Sequence, residues 1–235
     1  MNEAETSFEH VLARCIRHEK RLQRELEHVH VLAQDRNMPG AYSAALTAAN
    51  SSEKLTLLCR ELPAYTGSPA AKSDMEAILS ETIPVDIGFT IEGWFSIRIP
   101  ALLPKKSEGS ASYVRAFLYP ALKAFFDGKQ PVRYSDCVLV FRHVYDAARP
   151  ERQYRDHDNI EINMVTDIVA LYVLPDDAPL RCAHYYCSAV GKGDRTEVYV
   201  VPRHDFPQWL VTEKTMPDKG VMLHEKAVFG VQKDM

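Results

Sequence analysis

The sequence predicts an α+β protein in which an all-helical N-terminal region precedes a mixed β-sheet with packed helices. Through the first third of the chain, apolar residues recur every three or four positions, which is the period of an amphipathic helix. After Pro84 the period changes to two, the alternation of a half-buried strand. The predicted parts are a helical region at 1–83, an α/β domain at 84–203 and a C-terminal extension at 204–235, to which we assign no function.

Three helices are expected in the N-terminal region. The first carries an apolar face opposite a row of arginines, and Pro39-Gly40 predicts the turn that ends it. The second is alanine-rich at its start, and Pro63 breaks the chain after it. The predicted ranges are 8–33, 41–62 and 70–80.

The α/β domain is expected to follow the order β-α-β-α-β-β, a pattern typical of a mixed sheet covered by helices. The apolar run CVLVFRHVY at 137–145 predicts a central strand. The turn at 190–194 contains two glycines and predicts a hairpin between the last two strands. The predicted strands are 94–99, 137–145, 180–188 and 195–201, and the predicted helices are 113–126 and 159–172.

Composition excludes several classes of protein. The 235-residue chain is 46% hydrophobic and 26% charged, as expected of a globular protein, and it lacks the run of ~18 apolar residues that a membrane helix needs. Its acidic, polar first residues are unlike a secretory signal, so we expect a cytoplasmic protein with no membrane partner. The five cysteines show no CxxC spacing, which favours reduced packing residues.

Two acidic pairs are the main candidates for chemistry. Asp156 and Asp158 lie two residues apart, so both carboxylates can point to one side of an extended segment, and Asp176-Asp177 follows the next predicted helix. Like charges this close are costly unless a cation compensates them, and clustered carboxylates suit Mg²⁺ or Mn²⁺. Each pair also has a structural explanation, because Asp158 with Glu161 forms a helix capping box and the second pair lies in a turn.

These motifs resemble the RusA family of Holliday junction resolvases over about residues 94–202. That family has a strand, a basic loop, an Asp-x-Asp-Asn motif that opens a helix, an aspartate midway along that helix, an Asp-Asp pair, a Lys/Gly turn and a final strand. The matching pieces are CVLVFRHVY, ARPERQYR, DHDN at 156–159, Asp167, LPDD at 174–177 and GKGDRTEVYV at 191–200.

The resemblance implies a magnesium-dependent, structure-selective endodeoxyribonuclease that cuts branched DNA as a homodimer in recombination or repair. It implies that Asp156, Asp158 and Asp177 are catalytic residues that bind Mg²⁺, or Mn²⁺, with Asp176 beside them. Because the net charge is −4, a DNA-binding chain needs a local basic patch. The predicted basic rim that contacts branched or double-stranded DNA consists of Arg149, Arg152, Arg155, Lys192 and Arg195.

One departure from the family pattern leaves a second hypothesis open. The family usually has a lysine about one helical turn after the second aspartate, whereas this chain has Glu161, Ile162 and Asn163 there. The alternative is a catalytically degenerate RusA-like protein that binds DNA or another protein. A coincidental resemblance, in a purely structural α/β protein, is the third possibility.

Overall fold

The computed structural model describes residues 3–107, 109–129, 132–149, 154–176, 178–218 and 220–225. The chain divides into two compact units, Met1–Ala77 and Ile78–Met235. The boundary predicted from the sequence lies a few residues later, near residue 83. Within the described ranges, no helix has the length and apolar character that a bilayer crossing requires.

The first unit is an antiparallel helical pair with a small core. It contains helix α1 (Glu3–Gln34), helix α2 (Met38–Glu61), a 3₁₀ turn (Leu62–Thr66) and most of helix α3 (Ala71–Thr82). Buried Val11, Cys15 and Leu58 form its core cluster. The predicted turn at Pro39-Gly40 is wrong. Asn37 caps α2 by accepting a hydrogen bond from the Gly40 backbone N–H (3.0 Å), so proline occupies the first helical turn, where its missing N–H costs nothing.

The second unit is built on a five-stranded sheet with the strand order β1-β2-β5-β3-β4. Only β3 and β4 are parallel, and the other neighbouring pairs are antiparallel. The strands are β1 (Asp86–Phe89), β2 (Phe95–Ile99), β3 (Cys137–Asp146), β4 (Cys182–Gly191) and β5 (Arg195–Pro202). The helices are α4 (Ser110–Phe126), α5 (Asn163–Val173) and α6 (Phe206–Glu213).

The predicted α+β class, with a helical N-terminal region and a mixed sheet, is confirmed. The predicted hairpin between the last two strands is wrong, because β3 lies between β4 and β5 and pairs with both. Strand β1 was missed, since four residues with a glycine give little alternation. Part of the predicted C-terminal extension packs on the sheet, because Trp209 of α6 is fully buried against it.

The two faces of the sheet carry different neighbours. On one face, Phe95 contacts Phe125 and Phe126 of α4, and α5 stacks Tyr172 on Phe126 at 5.3 Å between ring centroids. We call this the α4 face. On the opposite face, Trp209 packs against alternate residues of β3 and β5, and we call this the α6 face. Because side chains alternate along a strand, neighbouring residues of β3 point to different faces.

Candidate functional site

The segment 154–162, which contains the Asp-x-Asp-Asn motif, is fixed along the α4 face of β3. The Tyr154 ring stacks on the buried Tyr145 ring with centroids 4.4 Å apart, and the Arg155 backbone N–H donates to the Tyr145 hydroxyl (3.0 Å). The arrangement anchors the start of the motif to the C-terminal half of the central strand. Both tyrosines therefore have packing roles here.

His157, the residue between the two aspartates, turns toward the sheet. Its ring stacks on His143 of β3, with centroids 5.5 Å apart and planes 25° apart. Its Nε2 lies 2.9 Å from Oγ of Ser188 on β4. Asp156 and Asp158, on either side of it, are both exposed. Two surface carboxylates therefore flank a histidine that points toward the sheet.

His143 is an unusual residue in the core beneath this segment. It is only 1% exposed, and neither ring nitrogen has a hydrogen-bond partner among the described residues. Burial, followed by the nearby His157 and Arg155 charges, lowers the pKa of His143 to about 4. The imidazole is therefore neutral at pH 7, and its N–H and its lone pair both go without a protein partner.

Helix α5 begins later than the sequence suggests, because the acidic motif forms its own short turn. Residues His157–Asn159 make a 3₁₀ turn, and α5 starts at Asn163 rather than near 159. The expected capping box between Asp158 and Glu161 is absent. Instead, the buried Glu161 carboxylate accepts from the Ser110 hydroxyl (2.8 Å) and the Met164 backbone N–H (3.4 Å), which places it near the starts of both α4 and α5.

The loop between β2 and α4 runs beside the acidic motif. Lys105 forms an isolated antiparallel bridge with Ile160, and the Lys106 backbone N–H donates to the Asn159 carbonyl (3.0 Å). Both lysine side chains are exposed. The fold therefore brings the backbone of two lysines next to Asn159 and Ile160, which directly follow the acidic pair, although some fifty residues separate the two segments in sequence.

Asp176 lies elsewhere. It belongs to the segment between α5 and β4, and the end of that segment returns to the start of β3, where the Cys137 backbone N–H donates to the Arg181 carbonyl (2.9 Å). Asp156 and Asp158 lie toward the other end of β3, and the eleven residues of α5 alone span about 16 Å. The structure does not bring Asp176 together with the first acidic pair.

Two of the arginines of the predicted basic rim are engaged in ion pairs. Arg195 is 7% exposed, and its Nε donates to Glu197 (2.7 Å) on the α6 face. Arg149 makes a two-point contact with Asp194, with one bond of 3.1 Å from Nε. A phosphate contact by Arg195 is therefore incompatible with this conformation, and Arg149 would have to exchange its carboxylate for a phosphate.

The other residues predicted for the site and its basic rim differ in their contacts and exposure. The Arg155 guanidinium donates to the Leu103 carbonyl, while Lys192 is exposed in the turn after β4. Arg152 and Asp177 lie outside the described residues. Both stay predictions.

The donor set around the motif fits a hard cation in one respect. Two exposed carboxylates are enough for Mg²⁺, which keeps several waters and shares the phosphates of its substrate. In the parts of the chain that the structure describes, no group of three or more His, Cys, Asp or Glu side chains is arranged to hold a metal. A cation here would depend on Asp156, Asp158 and substrate oxygens.

Sequence reasoning missed the histidine pair and the lysines. His143 had a usable signal, because it is a polar residue in the apolar run of β3. Ser188 and Lys105 had none, since their proximity to the motif depends on sheet order and on a long-range bridge.

Fold and site together define an α+β protein with a surface motif of two acids beside two lysines. The chain belongs to the family of unknown function DUF6100, whose model matches residues 3–227. Among curated proteins, no relative of the chain is found.

Proposed function

We propose that this protein is a RusA-like, magnesium-dependent endodeoxyribonuclease that acts on branched DNA as a homodimer in recombination or repair. The observation that carries the proposal is the exposed pair Asp156 and Asp158, held at the surface by an anchored segment whose central residue, His157, points inward. Its support from the sequence is the Asp-x-Asp-Asn motif in the same strand and helix order.

The protein's own contribution is to fix these two carboxylates. Tyr145 anchors the segment before Asp156, and the bridge at Ile160 anchors it after Asp158. Two like charges held this close repel each other, and a bound cation relieves that cost. When bound, Mg²⁺ supplies water activation and stabilisation of the phosphodiester oxygens.

A second candidate is a degenerate RusA-like protein that binds DNA or another protein without cutting. The position of Asp176 beyond α5 favours it, because one acidic element of the motif does not join the other. The region where the family usually has a lysine favours it as well, since Glu161 stands there and its carboxylate is committed to Ser110.

Incubation of the full chain with four-way junction DNA, with Mg²⁺ or with EDTA, separates the two candidates. The nuclease predicts Mg²⁺-dependent cleavage, and Asp158→Asn should reduce the rate by about 100-fold or more, since losing a carboxylate removes several kcal/mol of cation-dependent stabilisation. Asp127→Asn, an exposed acid at the end of α4, is the matched control and should cut like the natural sequence.

Junction binding without cleavage in Mg²⁺ or Mn²⁺ would overturn the nuclease and favour the degenerate DNA-binding protein. Cleavage by Asp158→Asn at the natural rate would also overturn the proposal, because the activity would then come from another site or from a contaminant. Sedimentation of the full chain, with and without junction DNA, tests the homodimer separately.

A further inference from the structure

We propose that Lys105 and Lys106 bind the DNA phosphate backbone directly beside Asp156 and Asp158. The inference rests on the proposed function in one respect, that DNA is the ligand. It assigns the phosphate contacts to a loop that lies outside the predicted basic rim and outside the acidic motif.

The loop holds a fixed position relative to the acids. Besides the Lys105 bridge and the Lys106 backbone hydrogen bond, the Glu161 backbone N–H donates to the Pro104 carbonyl (2.9 Å). The two backbone hydrogen bonds flank Lys105, and Lys106 itself donates one of them. Bridged chains lie about 4.8 Å apart, so the two lysines stand next to the residues that follow Asp158.

The lysines differ from the arginines in their ion pairing. Neither Lys105 nor Lys106 makes an ion pair with a carboxylate among the described residues, and both are exposed. Arg149 and Arg195, by contrast, already have carboxylate partners. A cation that has no internal partner can release its counterion to a phosphate without breaking a contact in the protein.

The two lysines also offset the electrostatic repulsion between the acidic motif and DNA. Asp156 and Asp158 repel an approaching phosphodiester, and a chain with a net charge of −4 has no general attraction for DNA. Cations beside the acids offset that repulsion where the backbone has to approach them. Lysine suits the role because its ammonium is a mobile point charge on a flexible stem.

The test is the salt dependence of DNA binding by the full chain. Fluorescence anisotropy with labelled four-way junction DNA, in EDTA, gives the slope of log K against log salt concentration. Each phosphate contact contributes about 0.9 to that slope, so Lys105→Gln/Lys106→Gln should reduce its magnitude by about 2 and weaken binding severalfold. Lys72→Gln/Lys123→Gln removes the same charge from exposed positions on α3 and α4 and should leave the slope unchanged.

Lysine labelling gives a second readout that needs no variant. Acetylation of the natural chain, followed by mass spectrometry, should show Lys105 and Lys106 protected by junction DNA while Lys72 and Lys123 react as before. Unchanged labelling of Lys105 and Lys106 at saturating DNA would overturn the inference.

The outcomes distinguish this inference from the proposed function. If the natural chain binds no DNA at any salt concentration, both fail. If it binds with a clear salt slope that the Lys105→Gln/Lys106→Gln variant retains, the inference fails while the proposed function stands. A thermal melt of each variant confirms that it is folded, as exposed lysine-to-glutamine changes should allow.

Discussion

Arg142 and His143 are neighbours on β3, yet their side chains meet opposite conditions on the two faces of the sheet. On the α6 face, Arg142 donates to Glu197 (2.9 Å), which also accepts from Arg195 and from the Tyr199 hydroxyl (2.8 Å). On the α4 face, His143 has no hydrogen-bond partner among the described residues. The α6 face supplies counter-charges to its buried arginines, although Nε of Arg142 and Nε1 of Trp209 lack a hydrogen-bond partner in the part of the chain that the structure describes, whereas the α4 face leaves both ring nitrogens of His143 without one.

The two faces therefore use their charged residues differently. Those on the α6 face stabilise the fold, whereas those near the α4 face lie at the surface. Burial alone raises the pKa of Glu197, but Arg195, Arg142 and Tyr199 outweigh it and lower that pKa below its usual value. These arginines are therefore needed inside the molecule. On the α4 face the acids and lysines of the motif are exposed, and the proposed DNA contacts lie there.

The largest expected effect comes from breaking the network on the α6 face. Glu197→Gln keeps the shape of the side chain but leaves Arg142 and Arg195 buried without their shared counter-charge. The free energy of unfolding should fall by about 3–5 kcal/mol, measured by urea denaturation at pH 7. Asp127→Asn serves as the control and should change it by less than about 0.5 kcal/mol. A loss below about 1 kcal/mol for Glu197→Gln would mean that the network is not closed in solution.

The second-largest expected effect is a pH dependence of the free energy of unfolding that His143 causes on the α4 face. The folded protein keeps His143 neutral down to about pH 4, whereas the unfolded chain protonates it below about pH 6.5. The unfolded state then binds more protons, so the free energy of unfolding falls as the pH falls from about 6.5 to about 4. The contribution of this residue is about 3 kcal/mol.

His143→Phe keeps an aromatic ring against His157 and removes the titrating group. The loss of stability between pH 7 and pH 4.5 should therefore be smaller in this variant than in the natural chain. Because each protein is compared with itself, a change in packing cancels. An identical pH dependence in the two proteins would show that His143 is not buried as described.

The smallest expected effect comes from Arg149, whose ion pair with Asp194 distinguishes it from the exposed lysines. Arg149→Gln removes a partly exposed pair with Asp194 and should lower the free energy of unfolding by about 1 kcal/mol or less. Its DNA-binding salt slope should match that of the natural chain, because a cation already paired gains little from a phosphate. If the magnitude of the DNA-binding salt slope fell by about 1 without loss of stability, Arg149 would contact a phosphate, as predicted for the basic rim.

Local patterns predicted most of the elements, and long-range pairing explains what was missed. The period-2 run at Phe95–Ile99 and the apolar run at Cys137–Asp146 became strands almost as predicted. The hairpin prediction at the turn 190–194 failed because turn chemistry describes two strand ends but does not say which strands become neighbours. Here β3 takes the place between β4 and β5.

The candidate site likewise has features that the local sequence predicts and features that depend on long-range contacts. The prediction that His157 points away from Asp156 and Asp158 agrees with its contacts to His143 and Ser188, but the reason differs, because residues 157–159 form a 3₁₀ turn and not an extended strand. Nothing local to Lys105 indicates that it meets Ile160, because that bridge forms only when two distant loops pack on the sheet. Arg195 looked available for the same reason, since its burial depends on Glu197 and on α6 above it.

The place of β5 in the sheet has a consequence for synthesis on the ribosome. Strand β5 is the last to be made, yet it lies between β2 and β3 and is the only strand that joins the β1–β2 ribbon to the β3–β4 pair. At about 5–20 residues per second, roughly 5–20 s pass between completion of β2 at Ile99 and the emergence of Arg195. Throughout that interval the β1–β2 ribbon has an open edge, and the β3–β4 pair joins it in waiting for β5 only after Gly191 is made, a few residues before Arg195.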